Sequence, residues 1–193
     1  MIKTQATISH IEYSPSGEVT FVRFTSDEKF SFQEWQFVMI ESLFNHTELW
    51  KPLKKPYSIA TTYNELEKNG TIGVIVKKTM DGYMSEYLTK GIQIGDKILI
   101  TGPLGHMVDK SEQNKYLLVS TGSGISPMVG LYEKLSTDPN NTIVNIFGER
   151  YHKHVLSSVE NIFSANDDRR KNILFLSQDE KEWYRRWHVQ LAL

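Results

Sequence analysis

The residues best suited to chemistry in this sequence begin with Thr121-Gly122-Ser123-Gly124-Ile125-Ser126-Pro127. Before them, Tyr116 to Val119 is an apolar, partly β-branched run that suits a buried parallel strand. After them, Met128, Leu131 and Leu135 recur at helical spacing. Gly122 and Gly124 are expected to take positive φ and admit a ligand close to the backbone. Ser126 reads as an N-cap and Pro127 as the first helical residue. Strand, glycine turn and helix start aim several N–H groups and the positive helix end at one spot, which suits a phosphate. The other reading is an ordinary turn. The spacing Gly-x-Gly-x-x-Pro departs from the strict dinucleotide fingerprint, and no Gly-Lys-Ser/Thr follows, so a P-loop is excluded.

Two further stretches could meet an anion. Lys54-Lys55-Pro56-Tyr57-Ser58 puts cations, a ring and a hydroxyl at the start of a strand, where Lys55 and Tyr57 share a face and Ser58 takes the other. It fits an anionic ligand with a flat end, or a solvated loop leading into a half-buried tyrosine. Asp81-Gly82-Tyr83-Met84-Ser85 is a second glycine turn entering a short helix, with Ser85 near the cap. It is either another anion seat or a routine turn.

Other chemistries find no support. The six histidines are scattered, with no His-Glu-x-x-His, so no metal site is expected. His152 and His154 are expected on a solvated helix start. Cysteine is absent, which excludes disulfides and thiolate-held metals or iron–sulfur clusters. No Gly-x-Ser-x-Gly elbow occurs. Lys plus Arg is 22 against 23 Asp plus Glu, a net charge of −1, so neither nucleic acid nor an anionic membrane is an expected partner. The N-terminus lacks a signal-peptide core and no run reaches membrane-spanning length, so the expected location is cytoplasmic.

The elements that must position these residues change period near residue 110. Before it, short strands at 6–8, 19–24, 37–40, 57–60, 72–76 and 97–100 are separated by turns and predict a small antiparallel barrel or sandwich, with one helix at 85–90. After a polar linker at 109–115, strands at 116–120, 142–147 and 172–176 alternate with helices at 126–136, 153–163 and 181–192. That βαβαβα series predicts a parallel sheet. The expected organisation is a barrel domain over 1–110 and an α/β domain over 111–193. The strand at 116 is expected at an uncovered sheet edge, which calls for a partner or for a segment this sequence lacks.

Taken in order, Lys55-Pro56-Tyr57-Ser58, Gly82-Tyr83-Met84-Ser85, Gly102-Pro103-Leu104-Gly105 and Thr121 to Pro127 resemble the motifs of the ferredoxin–NADP reductase superfamily. The resemblance implies a flavin-binding antiparallel barrel followed by a nucleotide-binding parallel-sheet domain. Tyr57 would stack on the flavin and Ser58 would bond near its N5. Lys55 stands where arginine is usual and would meet the flavin diphosphate with a point charge rather than a planar fork. Gly82, Met84 and Ser85 would line the flavin phosphates. Gly122, Gly124 and Pro127 would form the dinucleotide loop, with Thr121 near hydride transfer. Trp35 stands where glycine is common. The family's last strand and helix, and its C-terminal aromatic, have no counterpart here, so the α/β domain is expected to be incomplete.

The implied cofactor is FAD rather than FMN, with NADH or NADPH as co-substrate. Asp179 and Glu180 after Ser177 would repel a ribose phosphate and favour NADH, while Arg150 points to NADPH. The implied activity is hydride transfer from nicotinamide to flavin and single-electron release to a protein acceptor such as a ferredoxin, flavodoxin or oxygenase component. The alternative is a flavin- or nucleotide-binding subunit of a larger assembly without dehydrogenase activity of its own.

Overall fold

A computed structural model describes residues 1–106 and 114–178. The first half forms one antiparallel sheet from β1 (Ile2–Tyr13), β2 (Val19–Ser26), β3 (Phe37–His46), β4 (Lys51–Ser58), β5 (Thr71–Lys77) and β6 (Lys97–Leu104). Its order is β4-β3-β6-β1-β2-β5. The sheet curls until Ile59, just past β4, bridges Val74 of β5, bringing its two edges together. Alternation along the strands turns Ala6, Ile8, Val22, Phe24, Val38, Ile40, Ile98 and Ile100 into a shared interior. Pro52 and Pro56 lie on β4, at the sheet's edge, where a missing N–H is tolerated.

The second half is a parallel sheet of β7 (Lys115–Thr121), β8 (Thr142–Glu149) and β9 (Arg170–Leu176) in the order β7-β8-β9. Helices α3 (Ile125–Ser136) and α4 (Ser157–Ser164) make its crossovers. The parallel βαβαβ reading therefore holds. The expected helix at 153–163 is instead a 3-10 turn at His152–His154 followed by α4, because Val155 and Leu156 have extended backbone. The helix expected at 181–192 lies outside the described residues. β7 is an edge of the described sheet, and its Leu117 and Val119 are well exposed.

Two short helices complete the first half. α1 (Tyr63–Asn69) was not expected, although its signal is plain in the sequence. Thr62 and Glu65 form a reciprocal capping box, and Gly70 ends the helix at φ 68°. α2 (Tyr83–Glu86) runs into a π-helical turn at Tyr87–Gly91, matching the helix placed at 85–90 in part. No helix among the described residues is long and apolar enough to cross a membrane.

The halves share a core. Val19, Phe21, Ala60 and Ile75 of the barrel pack with Ile125, Val129, Phe147, Val155, Leu156, Val159 and Phe163. Helix α3 meets the barrel through Ser126, Gly130 and Lys134, spaced four residues apart and so on one helical face. A Cβ on Gly130 would lie 2.8 Å from the Thr61 carbonyl oxygen, so glycine sets how closely the two approach. Polar contacts cross the seam as well: the Glu12 carboxylate accepts from the Ser158 N–H in the first turn of α4 at 2.9 Å.

Candidate functional site

The period-two repeat of β4 puts Lys55 and Tyr57 on one face. Tyr57 packs against the barrel core, and burial pushes its phenol up to about 12, so it stays neutral at physiological pH. A fixed, neutral ring is a stacking surface rather than an acid or base. The Ser58 hydroxyl has no hydrogen-bond partner among the described residues, whereas its carbonyl accepts from the Ser126 hydroxyl at 2.8 Å.

Beside this strand lies a cleft of about 890 Å³, lined by Lys3, Lys51, Lys54, Lys55 and the turn from Thr79 to Met84. Glu41 engages Lys54 at 3.5 Å and Lys3 at 3.7 Å. Lys51 and Lys55 form no ion pair among the described residues and are exposed, so their charge is available to an anion. Gly82 caps α2, and a Cβ there would meet Thr79 Oγ1 at 2.0 Å and Ser85 Oγ at 2.5 Å. Ser85, expected near the cap, is the third helical residue. Its buried hydroxyl donates to the Gly82 carbonyl at 2.8 Å and accepts from the Thr79 N–H at 3.1 Å. The turn therefore presents its first backbone N–H groups, which no helical carbonyl reaches. Met84 borders the cleft while its side chain packs in the barrel core.

A second cleft, of about 540 Å³, is lined by Lys77, Lys78, Thr79, Thr121, Gly122, Ser123, Gly148, Glu149, Arg150, Phe175 and Ser177. It opens at the C-terminal ends of β7, β8 and β9, where parallel sheets hold ligands. Gly122 takes φ 51°, as expected. Gly124 does not: it is right-handed at φ −64° and caps α3 without a side-chain bond. Ser126 is the second helical residue rather than the cap, because its hydroxyl is engaged by the barrel, and Pro127 is therefore third. A Cβ on Gly124 would meet nothing within 4 Å, so space for a ligand lies directly against this backbone. Arg150 is exposed on the cleft wall with Ser177, while Asp179 and Glu180 lie outside the described residues.

Glu149 carries no local signal in the sequence. Both its oxygens lie 2.8 Å from Lys77 Nζ. Burial alone would raise its carboxyl, but the Lys77 bond, the Arg150 N–H and His154 hold it below the usual range. His154, expected in solvent, is buried between Glu149 at 3.4 Å and Glu18 at 3.2 Å. Nothing local signals this, since the partners come from β8 and from the residue before β2. Trp35, on the seam, has Lys134 Nζ 5.1 Å from its ring centre.

The residues present fit a dinucleotide-sized cofactor. Unpaired lysines and the α2 turn face one cleft, Gly122 and Ser123 of the glycine corner line the other, and Thr79 lines both. Among the described residues no group of His, Asp and Glu could hold a metal.

Known proteins resemble this chain in both of its halves. Residues 8–108 match the oxidoreductase FAD-binding domain, and residues 118–193 match the oxidoreductase NAD-binding domain. A similar sequence is the toluate 1,2-dioxygenase electron transfer component of Pseudomonas putida, 25% identical over 103 residues, which are 53% of this chain and 31% of that protein. Similar solved structures include the ferredoxin reductase in carbazole 1,9a-dioxygenase, with TM-score 0.75, 18% identity, and coverage of 94% of this chain and 52% of that one. Another is a ferredoxin NADP+ reductase from Neisseria gonorrhoeae with bound FAD and NADP, with TM-score 0.75, 16% identity, and coverage of 94% and 74%. The matched stretch thus spans about a third of that curated relative.

Proposed function

We propose, because the chain belongs to the family of oxidoreductases that carry an FAD-binding domain followed by an NAD-binding domain, that it is a flavin-dependent NAD(P)H oxidoreductase. Residues 1–110 would hold FAD and residues 111–193 the nicotinamide dinucleotide. The observation that carries the reading is the junction of the two clefts at Thr79, between the Gly82 turn and the Gly122–Gly124 corner.

When bound, FAD supplies hydride acceptance from nicotinamide and release of single electrons. The chain supplies binding and orientation. Tyr57 offers the stacking face and Ser58 a free hydroxyl. Lys55 and the first N–H groups of α2, between Gly82 and Ser85, take the diphosphate. Gly122, Gly124 and the start of α3 at Pro127 take the dinucleotide, with Thr121 at the mouth of the cleft. Holding two rings face to face lowers such a barrier by about 7–11 kcal/mol in favourable cases. The electron acceptor in this reading is a small redox protein or an oxygenase component, as the chain's likeness to a toluate 1,2-dioxygenase electron transfer component suggests. Exposed Lys51, which has no ion-pair partner among the described residues, favours an acidic one. NADH is the favoured coenzyme, by the charge of Asp179 and Glu180.

Mass identification of released cofactor, followed by anaerobic mixing of the loaded protein with NADH, tests this. Fast bleaching of the flavin band is the expected result. A band that persists would overturn the dehydrogenase reading and favour a flavin-binding subunit, the reading that exposed Leu117 and Val119 on edge strand β7 support.

A further inference from the structure

We infer that Ser126 is a positioning residue, which holds the ring seat on β4 and the dinucleotide corner before α3 at one fixed separation. This rests on the oxidoreductase reading above. Ser126 is 3% exposed. Its Oγ donates to the Ser58 carbonyl at 2.8 Å and accepts from the Ile75 N–H at 3.3 Å. The amide can only donate and the carbonyl only accept, so the direction of both bonds is settled.

The placement of this hydroxyl is what gives it a role. Ser58 is the residue whose own hydroxyl is free at the ring seat, and Ser126 stands two residues after Gly124. One buried group therefore ties together both cofactor seats, across 68 residues of sequence. Farther along the same helical face, Gly130 lies against Thr61 and Lys134 reaches Glu34 at 2.9 Å. These hold the far end of α3. Ser126 is a polar tie between α3 itself and the barrel at the near end, next to the glycine corner. Losing it leaves the Ser58 carbonyl and the Ile75 amide without this partner and lets the corner move while the far end stays anchored. Ring-to-ring transfer needs geometry held to about 0.5 Å, and a misplacement near 1 Å costs about 10²-fold in rate.

The test compares Ser126→Ala and Ser126→Thr with the unmodified, flavin-loaded chain. Three quantities are read: FAD affinity, the long-wavelength charge-transfer absorbance when NAD+ is added to the reduced protein, and the anaerobic single-turnover rate with NADH. Ser126→Ala is expected to keep FAD affinity within about threefold, lose most of the charge-transfer band and slow reduction about 10–100-fold. Ser126→Thr, which keeps the hydroxyl, is expected to restore both. A Ser126→Ala protein with the unmodified band and rate overturns the inference alone. So does one that loses FAD outright, since Ser126 would then be scaffold for the flavin seat. An unmodified chain that binds FAD yet shows neither band nor bleaching overturns the oxidoreductase reading and this inference with it.

Discussion

Lys77, the last residue of β5, places its ammonium 2.8 Å from both carboxylate oxygens of Glu149, the last residue of β8. The pair closes the seam between barrel and parallel sheet on the wall of the second cleft, with the Glu149 side chain only 3% exposed.

Breaking this pair from the lysine side is expected to be costly. Lys77→Met would leave a buried carboxylate with His154 and one backbone N–H. Removing one partner of a buried pair costs about 3–5 kcal/mol, and the quarter-exposed lysine sets the low end here. The Glu149 carboxyl is held low in the folded state. Its stabilisation is therefore present above the unfolded value and lost as pH falls through the folded one. Urea unfolding at pH 7 and pH 4 checks both: the variant should be weaker at pH 7 and should lose less on acidification.

Glu133 on α3 predicts the opposite slope. Burial first, then the Glu65 carboxylate, push its carboxyl from 4.5 to about 7, against the pull of Arg23. Between those values the unfolded chain ionises while the folded one keeps its proton, so stability should fall as pH rises from about 4.5 to about 7. Glu133→Gln should flatten that slope and stabilise the chain at pH 8 by about 1–2 kcal/mol once solvent screening is allowed for. Melting temperatures across pH 4–8 decide it.

Gly130→Val would drive a side chain onto the Thr61 carbonyl, where a Cβ already sits at 2.8 Å. Backbone cannot rotate away as a side chain can, so α3 must lift from the barrel. A loss of about 1–3 kcal/mol is expected, the usual cost of overpacking. Denaturant midpoints measure this. A midpoint equal to that of the unmodified chain would show that α3 is not clamped there.

Tyr57→Ala and Gly124→Val should separate the two seats. The first removes the stacking face and should weaken FAD at least tenfold, the order of one aromatic contact. The second projects a side chain into the space before α3 and should weaken the dinucleotide while leaving FAD affinity unchanged. Flavin fluorescence titration and nucleotide binding calorimetry read the two affinities. Unchanged values in both variants would remove the assigned site.

The turn at Gly122 and the change from antiparallel barrel to parallel sheet were legible in the sequence, because turn chemistry and hydrophobic period are local properties, whereas Lys54 to Ser58, expected to open a strand at 57–60, instead close β4. The capping box at Thr62 and Glu65 was equally local, though α1 was not expected. What tertiary structure decided are the pairings of residues far apart along the chain: Ser126 with Ser58, Lys77 with Glu149, His154 with Glu18, Gly130 with Thr61. Ser126 read as a cap because serine before a helix usually bonds its own N–H groups. Here the barrel wall supplies a carbonyl and an amide in reach, and the hydroxyl turns to them instead. Such a choice depends on which surface the helix lies against, and no spacing within one segment encodes that.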